Sequence, residues 1–279
     1  MVLLEQRETS VHRKAVAATL SVHAARCLHL AAQGLLNSPR RRATKQDVLA
    51  AIRRMQLLQI DTIHVVARSP YFTLWSRLGD YHSAWLDELL AETAIFETWA
   101  HEACFAPMED WALLRRHLDT KSHHWALRHA QRMHREQRAD MNQLLDHVRA
   151  HGAVRSADFA RKDGGKSGGW WGWKDEKRWL EAWFALGELM VLRREKFLRV
   201  YDLSERVLAR AGVENPDACI AAVAEPRQVL IERSVRALGI AHATWIADYF
   251  RPRPRVSDKE MQPLIADGCV VVVEVRGWS

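Results

Sequence analysis

Four cysteines serve all 279 residues. Cys27, Cys104, Cys219 and Cys269 are too far apart for a CxxC motif or a dense disulfide framework, so a reducing cytoplasm is the expected compartment. No apolar run approaches the roughly 18 residues of a membrane span. Candidates such as 270–273 are strand-sized. Arg7, Arg13 and Lys14 alternate with Glu5 and Glu8, and no apolar signal core with a small-residue cleavage site follows, so secretion is not expected. The glycine-rich stretch 164–169 fails as a phosphate-binding loop, because the first glycine of that motif would fall at Ala160. The 14 histidines are scattered; His101-Glu102-Ala103-Cys104 lacks the spacing of a helical zinc site, and His123 and His124 are adjacent. No metal and no cofactor are therefore expected.

What remains is an ordinary globular composition, 48% hydrophobic and 27% charged, on a chain long enough for about two domains. Net charge is +7, and it is unevenly spread. Residues 149–210 hold 14 Lys/Arg against 9 Asp/Glu, whereas the rest of the chain holds 27 against 25. A basic middle fits a phosphate-binding surface, and it also fits a solvated face.

The periodicity predicts a mainly α fold with short β wings (α+β), arranged as tandem winged-helix units. Residues 1–20 are weakly patterned and read as a frayed extension. Residues 21–118 form the first unit: a helix from about 22 to 36 capped by Ser21, then a helix capped by Thr44 with Asp47 three residues on. Ile95–Trp99 and Ala103–Ala106 read as its strands. Residues 119–140 are a helical connector. Residues 141–212 repeat the order, with a helix from Lys174 to Leu186 burying Leu180, Trp183 and Phe184, and strands at Leu189–Arg193 and Leu198–Leu203. Residues 213–279 form a third unit whose last element, Val270–Val275, is a lone wing strand with an open edge. Helices followed by a ribbon are the winged-helix order.

One short stretch carries chemistry. In Leu57-Leu58-Gln59-Ile60-Asp61-Thr62-Ile63, Gln59 and Asp61 stand two residues apart. On a helix they would diverge by about 200°. On an extended segment they project together, with Leu58 and Ile60 anchoring the other side. A carboxylate beside an amide can hold and polarise a water molecule. An ordinary half-buried strand has the same pattern.

Four segments then carry a resemblance. They are Leu30-Ala31-Ala32-Gln33-Gly34-Leu35-Leu36 with Pro39-Arg40-Arg41-Arg42; the Leu57–Ile63 stretch with Val66-Ala67-Arg68-Ser69-Pro70-Tyr71; Trp99-Ala100-His101-Glu102-Ala103-Cys104-Phe105; and Val154-Arg155-Ser156-Ala157-Asp158-Phe159. Together they resemble the AlkZ/YcaQ (AlkX) family of bacterial DNA glycosylases, from about residue 22 to the C-terminus. The resemblance implies tandem winged helices followed by a C-terminal β-barrel, and the chain stops short of that barrel. Residues 1–20 have no counterpart in the family.

The resemblance further implies excision of N7-alkylated purines from double-stranded DNA and unhooking of interstrand cross-links. The family signature, Gln, an apolar residue, then Gln or Asp, here reads Gln59-Ile60-Asp61. Asp61 would stabilise the cationic sugar and activate water, and Gln59 would orient that water. Arg40, Arg41, Arg42, Arg68 and Tyr71 are candidate DNA contacts. His101 is a candidate contact to phosphate or lesion, or a structural histidine. Lys174, Lys177 and Arg178 sit where a recognition helix would meet phosphates. Trp170-Trp171-Gly172-Trp173 would stack on bases or fill the core of the second unit. A monomer acting at the bacterial nucleoid, away from membranes, is expected. Two other readings stand beside this one: a non-catalytic winged-helix DNA-binding or regulatory protein, and an inactive truncated homologue.

Overall fold

The architecture follows from where the apolar periodicity is helical and where it alternates. The computed structural model describes residues 2–4, 18–61, 66–119, 124–159, 175–252 and 254–278. Strands β1 (Val2–Leu4) and β2 (Ala18–Leu20) precede helices α1 (Val22–Ala32) and α2 (Lys45–Met55). Then come β3 (Leu58–Gln59), α3 (Ser69–Leu78), α4 (Ala84–Ala91), β4 (Ile95–Trp99) and β5 (Ala103–Pro107). Helices α5 (Trp111–Asp119), α6 (Trp125–Glu136), α7 (Arg138–His151) and α8 (Asp175–Leu186) lead to strands β6 (Leu189–Glu195) and β7 (Leu198–Leu203). The rest is α9 (Ser204–Arg210), α10 (Pro216–Ala221), α11 (Pro226–Leu238), β8 (Ile240–His242), α12 (Ala243–Tyr249), α13 (Asp258–Ala266) and β9 (Val271–Val275). The fold is mainly helical with small sheets, as the periodicity predicts. Among the described residues no helix is long and apolar enough to cross a membrane. Lys174, the tryptophans at 170, 171 and 173 and the glycine-rich stretch lie outside the described residues.

The chain divides into two compact units, the first drawn from residues 1–82, 100–106 and 223–279. A four-stranded sheet of order β2-β9-β1-β8 closes it. All three pairings are parallel, with Val2 opposite Val271 and Ile240, and Ala18 opposite Val273. Two expectations are corrected here. β9 is not a lone strand with an open edge, since it is hydrogen-bonded to β1 on one side and β2 on the other. Residues 1–20 are not all a frayed extension, since they supply both of those strands. The sheet and helices enclose a core that includes Ile231, Val235, Ile246, Met261, Leu264 and Val270.

Helix α1 packs on the end of α11. His29 Nδ1 bonds the Leu238 carbonyl at 2.7 Å and Gln33 Nε2, from the residue that caps α1, donates to the Ala237 carbonyl at 2.6 Å, so these side chains satisfy carbonyls that the end of α11 leaves open. Gly239 follows with φ 73°, and a Cβ there would lie 2.7 Å from the Leu28 carbonyl oxygen. Only glycine allows that approach.

The second unit comprises residues 83–99 and 107–222. Its helix α8 buries Leu180, Trp183 and Phe184, as the spacing predicts. The hairpin β6–β7 turns through Lys196 and Phe197, both at positive φ (50° and 68°). A two-residue turn with that twist favours Asn-Gly. Here Arg194 holds the costlier residues in place: its guanidinium donates to the Phe197 carbonyl at 2.6 Å and lies 4.2 Å from the Phe197 ring centroid. Arg194 and Arg199 both converge on Glu97, at 2.5 and 2.8 Å, in a site where Glu97 is 1% exposed. Burial alone would raise the Glu97 pKa, but the charges of Arg199 and Arg194 outweigh it and hold the carboxylate below its ordinary value.

Candidate active site

The site grows from the turn that ends α2. Thr44 and Asp47 form the expected capping box at its start, and Arg41 donates twice to the Asp47 carboxylate at 2.8 Å. At the other end Gln56 adopts φ 64°, a conformation that costs a non-glycine residue roughly 1–2 kcal/mol. Its side chain offsets the cost, donating to the Arg53 carbonyl at 2.6 Å and accepting from Arg233 at 3.1 Å. The chain thereby leaves the helix and enters β3.

β3 pairs antiparallel with β5, Leu58 opposite Phe105 and Gln59 opposite Cys104. The Ile60 amide extends the pairing to the Ala103 carbonyl at 2.7 Å. Burial alternates along the segment: Leu58 is 1% exposed and Ile60 7%, whereas Gln59 is exposed and Asp61 half-buried. The first residue of α3 clamps the far end. The Asp61 amide donates to Ser69 Oγ at 3.2 Å, and that hydroxyl reaches the Gln59 carbonyl at 3.5 Å.

Gln59 is held by a residue from the β5 side. His101 Nε2 lies 2.9 Å from Gln59 Oε1, so the imidazole N–H donates and the Gln59 amide hydrogens remain free to face solvent or substrate. Gln59 and His101 both line a cavity of about 540 Å³ within the first unit. Asp61 is not among its lining residues.

Sequence reasoning missed the rest of that cavity. Arg77 from α3, Gln33, and Trp245, Asp248 and Tyr249 from α12 line it, together with Arg251. The Tyr249 hydroxyl donates to the Met55 carbonyl. Burial pushes that hydroxyl up to about 12, against the Gln33 hydrogen bond and the Arg77 charge, which pull it down. Tyr249 therefore stays protonated. No local signal marks these residues, because partners such as Tyr249 and Met55 are 194 positions apart.

The other expected contacts are more dispersed. Arg40 and Arg42 are exposed, with Arg42 4.0 Å from Asp80, while Arg41 is committed to Asp47. Arg68 caps the start of α3 through its backbone, and the Tyr71 carbonyl accepts from Tyr81 at 3.3 Å. Lys177 and Arg178 lie on α8 in the second unit, where Arg178 pairs with Asp175 at 3.2 Å. No cluster of His, Cys, Asp or Glu suited to a metal ion occurs among the described residues.

The fold itself is similar to that of a solved structure, the Streptomyces sahachiroi DNA glycosylase AlkZ, with a TM-score of 0.53 at 14% identity. The match covers 89% of this chain and 65% of that one. At this identity the likeness is one of fold. A family model for AlkZ-like DNA glycosylases matches residues 52–279, and the chain belongs to that family.

Proposed function

We propose that the chain is a monofunctional DNA glycosylase that hydrolyses the N-glycosidic bond of N7-alkylated purines. An N7-alkylated purine is already cationic and leaves readily, so no strong general acid is required. As the C1′–N9 bond lengthens, positive charge develops on the deoxyribose. Asp61 stabilises that charge and takes the proton of the water that forms the new C1′–O bond. Gln59 orients the water with its amide hydrogens. The products are the free alkylated base and an abasic site. The observation that carries the reading is the pair itself: an exposed Gln59 whose amide is fixed by His101 beside a cavity, with Asp61 two residues on along the same extended segment. Family membership supports it.

Double-stranded DNA is then the partner. The proposed phosphate contacts are Arg40, Arg42, Arg68, Tyr71, Lys174, Lys177 and Arg178, presented on tandem winged-helix units by a monomer. The observed helices and hairpin of residues 138–203 follow the order such a unit requires. Bulky cross-links are proposed as further substrates.

The test is incubation of the purified protein with duplex carrying 7-methylguanine, and in parallel a nitrogen-mustard cross-link. Release of the free base is expected. Asp61→Asn is expected to abolish release while DNA affinity stays nearly unchanged. Affinity and release lost in parallel would mean that Asp61 is structural. Binding without release in the wild type would favour a non-catalytic DNA-binding protein.

A further inference from the structure

Arg77 stands in the last turn of α3 and lines the same cavity as Gln59. Its guanidinium meets only neutral acceptors: the Thr73 carbonyl at 2.9 Å, the Ser76 hydroxyl at 3.1 Å and the Gln33 side-chain carbonyl at 2.9 Å. Its Nε is buried and has no hydrogen-bond partner among the described residues. No carboxylate among the described residues stands within ion-pair distance of it. Burial accordingly lowers the Arg77 pKa.

The other cation on the cavity is treated differently. Arg251 pairs with Glu102 at 3.3 Å and with Asp248 at 3.6 Å, so the carboxylate that lines the cavity among the described residues is already engaged. A half-buried cation balanced only by neutral dipoles is costly, and an incoming anion would recover that cost. The cavity, at about 540 Å³, is within the range of small-ligand sites and has room for a phosphate with its sugar.

We infer that this cavity receives a phosphodiester of DNA, with Arg77 as its fixed counter-ion. Because Gln59 lines the same cavity, the bound phosphate lies beside the deoxyribose under attack. Its negative charge then favours the cationic sugar of the transition state. The inference rests on the glycosylase reading for the identity of the polyanion and for the reacting deoxyribose beside it.

The experiment measures binding to a duplex holding a tetrahydrofuran abasic-site analogue. A matched set carries one neutral methylphosphonate in turn at each flanking phosphate. Wild-type affinity is expected to fall about tenfold at one position, the scale of a charge-assisted hydrogen bond. Arg77→Gln is expected to lose a similar factor on the unmodified duplex and to be insensitive to that methylphosphonate. Its salt slope should be shallower by about 0.9. Arg77→Lys should retain part of both effects.

Equal losses in wild type and Arg77→Gln at every position would overturn the inference. So would a wild type indifferent to all of these neutral phosphates, whether or not the variant folds. Inorganic phosphate that raises the melting temperature through Arg77, with no position-specific loss on DNA, would mark a small-anion site and also overturn it. If the coupling holds while 7-methylguanine is never released, the phosphate seat stands and the proposed activity falls.

Discussion

His101→Ala separates two roles for this histidine. Its side chain meets the candidate machinery through the 2.9 Å bond from Nε2 to Gln59 Oε1. A hydrogen bond between neutral groups contributes about 0.5–1.5 kcal/mol net. At about 1.4 kcal/mol per factor of ten, its loss should slow base excision by about two- to tenfold. The assay is single-turnover release of 7-methylguanine, which isolates the chemical step. In a Gln59→Ala background the same change should have almost no further effect, because nothing remains to be oriented. His101→Gln keeps an N–H donor and should restore part of the rate. The salt dependence of DNA binding should match the wild type. Independent, multiplying losses from the two alanines, together with a salt slope shallower by about 0.9, would show a phosphate contact and refute the positioning role. A loss on the order of a thousandfold would also refute it, since that is the scale of a donor acting directly on the transition state rather than of a residue that orients one.

Other changes read the scaffold. Glu97→Gln removes the buried carboxylate that Arg194 and Arg199 share and should cost about 3–5 kcal/mol, measured as a lower midpoint for the second unit in denaturant. Gly239→Ala forces a side chain into positive φ and against the Leu28 carbonyl, so it should destabilise by about 1–3 kcal/mol in the same assay. Acid should loosen the first unit through Glu260, which the Arg227 hydrogen bond lowers to about 2 from 4.5. A depressed carboxylate stabilises above its unfolded pKa, so this contribution is full above 4.5 and lost as pH falls toward about 2. Thermal melts across that window, compared with Glu260→Gln, check it; an unchanged pH profile in the variant would refute the assignment.

Features with a local cause were legible in the sequence. The Thr44–Asp47 capping box and the β6–β7 hairpin are each specified by residues a few positions apart. The alternation at Leu58 to Asp61 was legible because period-two burial has one structural solution. The parallel sheet was not, because β1 and β9 meet across nearly the whole chain and neither three to five apolar residues nor a frayed-looking N-terminus names a partner. Arg77 and Tyr249 were invisible for the same reason: each is an ordinary helix residue until distant segments enclose them. The run at Arg40 to Arg42 shows the opposite limit, since its charge was plain but the commitment of Arg41 to Asp47 was not.

The sheet that joins β1 to β9 also sets an order of assembly. During synthesis every segment of the second unit has been made once residue 222 is complete, and its hairpin and helices can settle while the chain is still growing. The first unit must hold strand β1 unmatched until residues 240–242 arrive, and paired on one side alone until residues 271–275 follow. The cavity beside Gln59, which needs α12, is therefore a late product of folding, and a ribosome-stalled chain ending before α12 should carry Gln59 and Asp61 without the chamber that Gln59 lines.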